Sequence, residues 1–182
     1  FDRISHDWLL NNVPMDKEIL RKWLKCGFVF KGEVFPTEEG TPQGGIISPT
    51  LANIALNGIE KALSGFKQTT RNGVAYNPKV SLVRYADDFI ITGASKEILE
   101  NEVKPILVEF FQERGLELSE EKTVITHVSE GFDFLGFNVR KYYSTLLTKP
   151  SKKSVKKLTE KVKVLLKSHR AVKQEEILKI GR

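Results

Sequence analysis

The chain has 182 residues, of which 40% are hydrophobic and 13 are glycine, enough for a real core in one domain or one domain with an appendage. Its one cysteine, Cys26, excludes an internal disulfide and fits a reducing compartment, and no apolar run reaches the roughly 18 residues that span a bilayer. The net charge of +6 is uneven: residues 141–182 carry 13 Lys/Arg against 3 acids, leaving 16 against 20 in 1–140, so the tail suits either a polyanionic partner or a solvated basic helix.

The chain opens at Phe1, without methionine and directly inside a motif, and is expected to be a piece of a longer protein. Residues 4–10 read as a short helical turn interrupted by Pro14. Asp16 is the expected N-cap of a helix to about Cys26, with Ile19, Leu20, Trp23 and Leu24 on its apolar face and Gly27 as its stop. Residues 28–35 read as extended around a Lys31-Gly32 turn. The density of glycine and proline over 37–49 marks a loop of fixed shape. Ser48-Pro49 then reads as the N-cap and first-turn pair of a helix on which Leu51, Ile54, Ala55, Ile59, Ala62 and Leu63 recur. A glycine-rich loop feeding a helix lets backbone N–H groups approach a ligand, although such a turn is purely structural in about half of cases.

Residues 65–79 read as a polar loop. Next comes Leu82-Val83-Arg84-Tyr85-Ala86-Asp87-Asp88-Phe89-Ile90-Ile91-Thr92, where two β-type runs flank adjacent carboxylates. The pattern predicts a β-hairpin with Asp87 and Asp88 at or beside its turn. Two negative charges there must be solvated or neutralised by cations, and paired hard oxygen ligands suit Mg²⁺. The pair therefore marks a metal-dependent phosphoryl-transfer site or, taken alone, equally a polar turn.

Ser95 is the expected cap of a helix to about Arg114, with Leu99, Val103, Ile106 and Phe110 on one face and Gly115 as its stop. Residues 116–118 and 123–128 read as strands around the acidic turn Ser119-Glu120-Glu121-Lys122, and 132–139 as a strand broken at Gly136. Trp8, Trp23, Phe110 and Phe111 read as core. His6, His127 and His169 lack partners at metal-site spacing and receive no chemistry. These elements add up to an α+β fold, an antiparallel sheet with helices packed on one face. From Lys149 the texture changes: Pro150-Ser151 starts a helix carrying Val155, Leu158, Val162 and Leu165 among lysines, and a shorter helix follows over about 172–180. So narrow an apolar stripe implies a continuation or a partner.

The order of the motifs resembles that of the reverse transcriptases encoded by bacterial group II introns, the maturases. Phe1-Asp2-Arg3-Ile4-Ser5-His6 is similar to the end of that family's first acidic motif. Residues 40–53, from Gly40-Thr41-Pro42-Gln43-Gly44-Gly45 to Asn53, resemble its second motif, and Tyr85-Ala86-Asp87-Asp88 its acidic hairpin. Leu118 to Thr123 resembles the fourth motif, Phe134-Leu135-Gly136-Phe137 the primer grip, and Lys149-Pro150-Ser151-Lys152-Lys153-Ser154 the start of the thumb.

The resemblance implies a bacterial cytoplasmic RNA-directed DNA polymerase, with a palm over 1–140 and the start of a helical thumb over 141–182. Asp87 and Asp88 would hold Mg²⁺, two ions in the complete enzyme, and Lys122 would lie near the leaving pyrophosphate as charge stabiliser or proton donor. Phe1, Gln43, Gly44, Gly45, Tyr85 and Ala86 would line the nucleotide and template site, the Phe1 ring excluding a 2′-hydroxyl. Phe134, Leu135, Gly136 and Phe137 would support the primer backbone, and Lys149, Lys152, Lys153, Lys156 and Lys157 would contact nucleic-acid phosphates. The implied partners are an RNA template, a DNA primer, dNTPs and intron RNA, with no membrane.

One departure tempers this. The family's other acidic ligand stands five residues before the aromatic matched by Phe1, and Asp2 is not that ligand. The fingers motifs and most of the thumb are also missing. These 182 residues alone are expected to bind metal weakly or not at all and to fail in primer extension with Mg²⁺; robust synthesis would overturn this register. Simpler roles stand beside the implied ones: Lys122 as a solvated turn lysine, Gln43 as a loop brace, Phe134 and Phe137 as sheet packing. Two other functions remain open, an RNA-binding splicing cofactor and a retron, diversity-generating or CRISPR-associated polymerase.

Overall fold

A computed structural model of the chain describes residues 3–30, 33–35, 40–41, 45–67, 69–71 and 74–168. Phe1, Asp2, Gln43, Gly44, His169 and the expected helix over 172–180 lie outside them. The chain divides into two compact units, one ending at Ile125 and the other starting at Thr126.

In the first unit, local chemistry sets the helix starts. Ser5 opens α1 (His6–Asn12) by accepting the Trp8 N–H at 3.2 Å. Asp16 opens α2 (Lys17–Lys25), its Oδ1 accepting from the Glu18 and Ile19 N–H groups at 2.9 and 3.0 Å. Of the predicted apolar face of α2, Leu20 and Leu24 are buried, while Ile19 and Trp23 are 47% and 42% exposed. Trp23 is thus not a core residue, and Trp8 is only half-buried, packing against the edge of the core.

α3 (Ser48–Leu56) has Ile47, not Ser48, in its cap position, and Pro49 in its first turn. The helix expected to run on to Leu63 stops at Asn57-Gly58. Gly58 has φ +100°, a left-handed conformation that a residue without a Cβ takes at little cost, and α4 (Ile59–Ala62) and a 3₁₀ turn (Leu63–Lys67) follow. The break divides one apolar stripe between two clusters. Leu51, Ala52 and Ala55 pack with Ile4, Leu9, Leu20 and Leu24, whereas Leu56, Ile59 and Leu63 pack with Phe66, Leu107, Phe110 and Phe111.

That second cluster is completed by α5 (Lys96–Ile98), which Ser95 caps, and α6 (Lys104–Gln112). A π-helical turn over Leu99–Val103 joins them. Pro105, just beyond it, has no N–H to close an ordinary helical ladder.

The strands correct the expected single sheet: among the described residues there are three two-stranded antiparallel sheets and one three-stranded. β1 (Phe28–Phe30) pairs with β2 (Glu33–Phe35). β3 (Thr69–Arg71) pairs with β4 (Val74–Tyr76) inside the stretch read as loop. β5 (Ser81–Tyr85) pairs with β6 (Asp88–Thr92), and Leu82, Phe89 and Ile91 of that hairpin pack against the second cluster, so helices cover one of its faces. The segments 116–118 and 123–128 form no strand. Leu116 and Leu118 pack their side chains against the clusters instead of pairing their backbone.

The second unit is a meander with a helix. β7 (Phe132–Phe134), β8 (Phe137–Tyr142) and β9 (Thr145–Pro150) pair in that order, so the supposed broken strand is a hairpin turning at Leu135-Gly136. Lys149 and Pro150 end a strand rather than begin a helix. Ser151 opens α7 (Lys152–Ser168): it is 3% exposed and its Oγ accepts the Ser154 N–H at 3.1 Å. Ser151→Ala is expected to destabilise this unit by about 1–2 kcal/mol in urea unfolding. The expected apolar stripe of α7 is in place but largely open, with Val155, Leu158 and Val162 all exposed. The whole is a mixed α+β chain with small antiparallel sheets, and no helix among the described residues is long and apolar enough to cross a membrane.

Candidate active site

The β5–β6 hairpin closes tightly. Tyr85 pairs with Asp88 and Arg84 with Phe89, leaving Ala86-Asp87 as the two-residue turn. Alternation puts Leu82 and Arg84 toward the helices, and Val83, Tyr85 and Asp88 on the opposite, open face, where Tyr85 is 66% exposed. Asp87 and Asp88 are both exposed. Neither carboxylate takes part in a hydrogen bond or ion pair among the described residues, so both are available to a cation.

Ala86 has φ +54°, left-handed backbone that costs an L-residue about 1–2 kcal/mol. Its carbonyl accepts a hydrogen bond from Arg84 Nη1 at 3.0 Å. The same guanidinium donates to Asn53 Oδ1 and Asn57 Oδ1, each at 3.1 Å. Sequence pattern alone does not point to Arg84, Asn57 or Glu60. The available signal was a charged residue on the apolar side of an alternating strand.

The donor set suits a partial Mg²⁺ shell. Mg²⁺ keeps several waters and takes one or two protein carboxylates together with substrate phosphates. Asp87 and Asp88 meet that requirement, and among the described residues no group of three His, Cys, Asp or Glu side chains gathers.

The other predicted positions fall as follows. Gly45 precedes α3, its carbonyl accepting the Ser48 N–H at 3.1 Å, and the neighbouring Ile46 is entirely exposed. The N-terminal motif is tied to the start of that loop, since the Gly40 N–H donates to Ile4 O at 2.9 Å and His6 Nε2 lies 2.7 Å from Gly40 O. His6 therefore has a structural bond that the sequence did not suggest. Lys122 is exposed in a turn closed by its own N–H and that of Thr123 on Ser119 O.

In the second unit, Leu135 and Gly136 both have positive φ at the β7–β8 turn, and Leu135 and Phe137 are exposed while Phe134 is half-buried. Gly136 O accepts both the Ser151 N–H and the Ser154 hydroxyl at 2.9 Å, stapling this turn to the start of α7. Lys149, Lys152, Lys153, Lys156 and Lys157 are all exposed. Four of them crowd the N-terminal turns of α7 with no acid in its first turn. Cations at that end oppose the helix dipole, and lysines four apart repel, so the cluster favours a bound anion.

Fold and hairpin together define an α+β protein presenting two unengaged carboxylates on an open strand turn. The chain belongs to the reverse transcriptase family: the family model for reverse transcriptase (RNA-dependent DNA polymerase) matches residues 1–139. Among curated relatives, protein YkfC of Escherichia coli (strain K12) is 31% identical, over 75% of this chain and 43% of that protein. Group II intron-encoded protein LtrA of Lactococcus lactis subsp. cremoris is 27% identical, over 96% of this chain and 39% of that protein. The chain thus spans about two fifths of the length of these relatives.

Proposed function

We propose that these residues form the palm (1–140) and the start of the thumb (141–182) of a bacterial cytoplasmic RNA-directed DNA polymerase of the group II intron-encoded type. The observation that carries this reading is the open Asp87–Asp88 turn within a chain that belongs to the reverse transcriptase family. Asp87 and Asp88 would hold Mg²⁺, which when bound stabilises charge on the attacking and leaving oxygens of nucleotidyl transfer. Tyr85, Ala86 and Gly45 would line the site for nucleotide and template, and the motif resemblance assigns Gln43 and Gly44 to the same site and Phe1 to discrimination against a 2′-hydroxyl. Lys122 offers an ammonium group to the leaving pyrophosphate. The turn at Phe134–Phe137 supports the primer backbone, and the lysines at 149–157 hold phosphates of the RNA template and DNA primer.

The test is primer extension by the full-length protein on an RNA template with dNTPs. Synthesis that requires template and stops on Mg²⁺ chelation supports the reading; template-independent or chelator-resistant synthesis, or none, overturns it.

A second role, RNA binding in aid of intron splicing, is favoured by the lysine cluster of α7 and the similarity to an intron-encoded protein. Replacing Lys152, Lys153, Lys156 and Lys157 together with alanine is expected to weaken RNA binding and reduce the slope of log affinity against log salt by about 3. An unchanged slope in anisotropy titrations would remove these lysines from the interface.

A further inference from the structure

We infer that Arg84 fixes the direction of the Asp87 carboxylate, by gripping the hairpin turn and anchoring it to α3 and α4. Its consequence for synthesis rests on the polymerase reading above; its consequence for the turn does not. Arg84 stands on the side of β5 that faces the helices, where its neighbours Leu82, Phe89 and Ile91 are apolar, and its side chain is 16% exposed. A permanent charge so placed needs its donors occupied. Nη1 donates to Asn53 Oδ1 at 3.1 Å and to Ala86 O at 3.0 Å, Nη2 donates to Asn57 Oδ1 at 3.1 Å, and Nε lies 4.0 Å from Glu60 Oε1. The Gly58 break falls between Asn57 and Glu60, so one planar group bridges both helices and the turn.

The bond to Ala86 matters most. The peptide joining Ala86 to Asp87 is a rigid plane, so holding its oxygen also sets its N–H and the Cα of Asp87. Ala86 sits at a positive φ of the kind that two-residue hairpin turns use, and Arg84 Nη1 holds its carbonyl. Because its donors are spent on amides and a carbonyl, Arg84 leaves both carboxylates free for a cation while orienting one of them. Such supporting contacts typically change metal affinity or activity by 10–100-fold when lost. A lysine, with one compact ammonium, cannot span these three acceptors and also stand beside Glu60.

The test compares Arg84→Lys and Asn57→Ala with the unmodified full-length protein. It reads urea midpoint, Mn²⁺ broadening of the Asp87 and Asp88 amide resonances, and kcat and KM for dNTP. Arg84→Lys is expected to remain folded, to lower apparent Mn²⁺ affinity at the turn by about tenfold, and to lower kcat by about 10–100-fold with KM and RNA affinity within about threefold. Asn57→Ala should act in the same direction more weakly, and the double variant should be no worse than Arg84→Lys, because the residues act as one unit. Unchanged Mn²⁺ affinity in a folded Arg84→Lys protein overturns the proposal, as do losses that only track the unfolded fraction. If Arg84→Lys does not fold, unchanged Mn²⁺ affinity in Asn57→Ala overturns it equally. Should the unmodified protein make no DNA, the polymerase reading fails, and the Mn²⁺ measurement still decides the role of Arg84.

Discussion

Replacing Asp87 or Asp88 by asparagine in the full-length protein is expected to reduce RNA-templated DNA synthesis by about a thousandfold or more, leaving RNA affinity within about twofold. Asparagine keeps the size and planar shape of aspartate while removing its negative charge and turning one acceptor oxygen into an NH₂ donor. The hairpin should persist, since its register rests on the ladder from Ser81–Thr92 to Tyr85–Asp88 and its helix-facing side on Leu82, Phe89 and Ile91. A thousandfold corresponds to about 4 kcal/mol of transition-state stabilisation, in keeping with loss of a charged metal ligand. RNA affinity should survive if, as proposed, it rests on phosphate contacts from the exposed lysines, which stand in a different part of the chain. Single-turnover primer extension and anisotropy at fixed salt measure both quantities. Synthesis unaffected in both variants would remove the hairpin from catalysis. RNA affinity falling tenfold would mean that the carboxylates influence RNA binding directly. Splicing assistance that survives the loss of synthesis would separate the two proposed roles.

What the sequence made legible was local. Asp16 and Ser95 were readable as helix caps because a cap needs one side-chain oxygen within three residues of the N–H it accepts. The β5–β6 hairpin was readable because alternation and an interrupting acidic pair occupy eleven consecutive positions. What failed was mostly pairing at a distance. Residues 123–128 are rich in strand formers, yet a strand exists only where a partner edge is presented, and Val124 stands exposed without one. The β3–β4 hairpin is a different case: Asn72-Gly73 is a strong hairpin signal that a polar-loop reading of 65–79 overlooks. Trp23 lies outside the core because only Leu20 and Leu24, one turn apart, point into it from α2. In the candidate site, Asp87 and Asp88 were visible from adjacency and motif order. Arg84 stayed silent because its amide partners lie 31 and 27 residues away, and only folding brings them to it.

Gly115→Ala is expected to destabilise the first unit by about 2–5 kcal/mol, whereas Gly65→Ala should be neutral or stabilising by up to about 1 kcal/mol. Gly115 follows α6 with φ +71°, which costs an L-residue about 1–2 kcal/mol by itself. A Cβ there would also lie 2.8 Å from Arg3 O and 2.9 Å from Ser5 N. Both are backbone atoms that cannot rotate aside, and the Ser5 N–H is already committed to Arg114 O at 2.9 Å. Relief therefore requires moving residues 3–5, which carry the fully buried Ile4 whose carbonyl receives the Gly40 N–H. At Gly65 a Cβ meets nothing within 4 Å, so that variant controls for the loss of glycine alone. For a domain of this size the difference corresponds to roughly 5–15 °C in Tm, readable by calorimetry alongside urea unfolding. A Gly115→Ala protein within about 1 kcal/mol of the unmodified one would show that residues 3–5 can shift freely. It would then be wrong to regard the packing of the N-terminal motif against the end of α6 as a fixed support for the site.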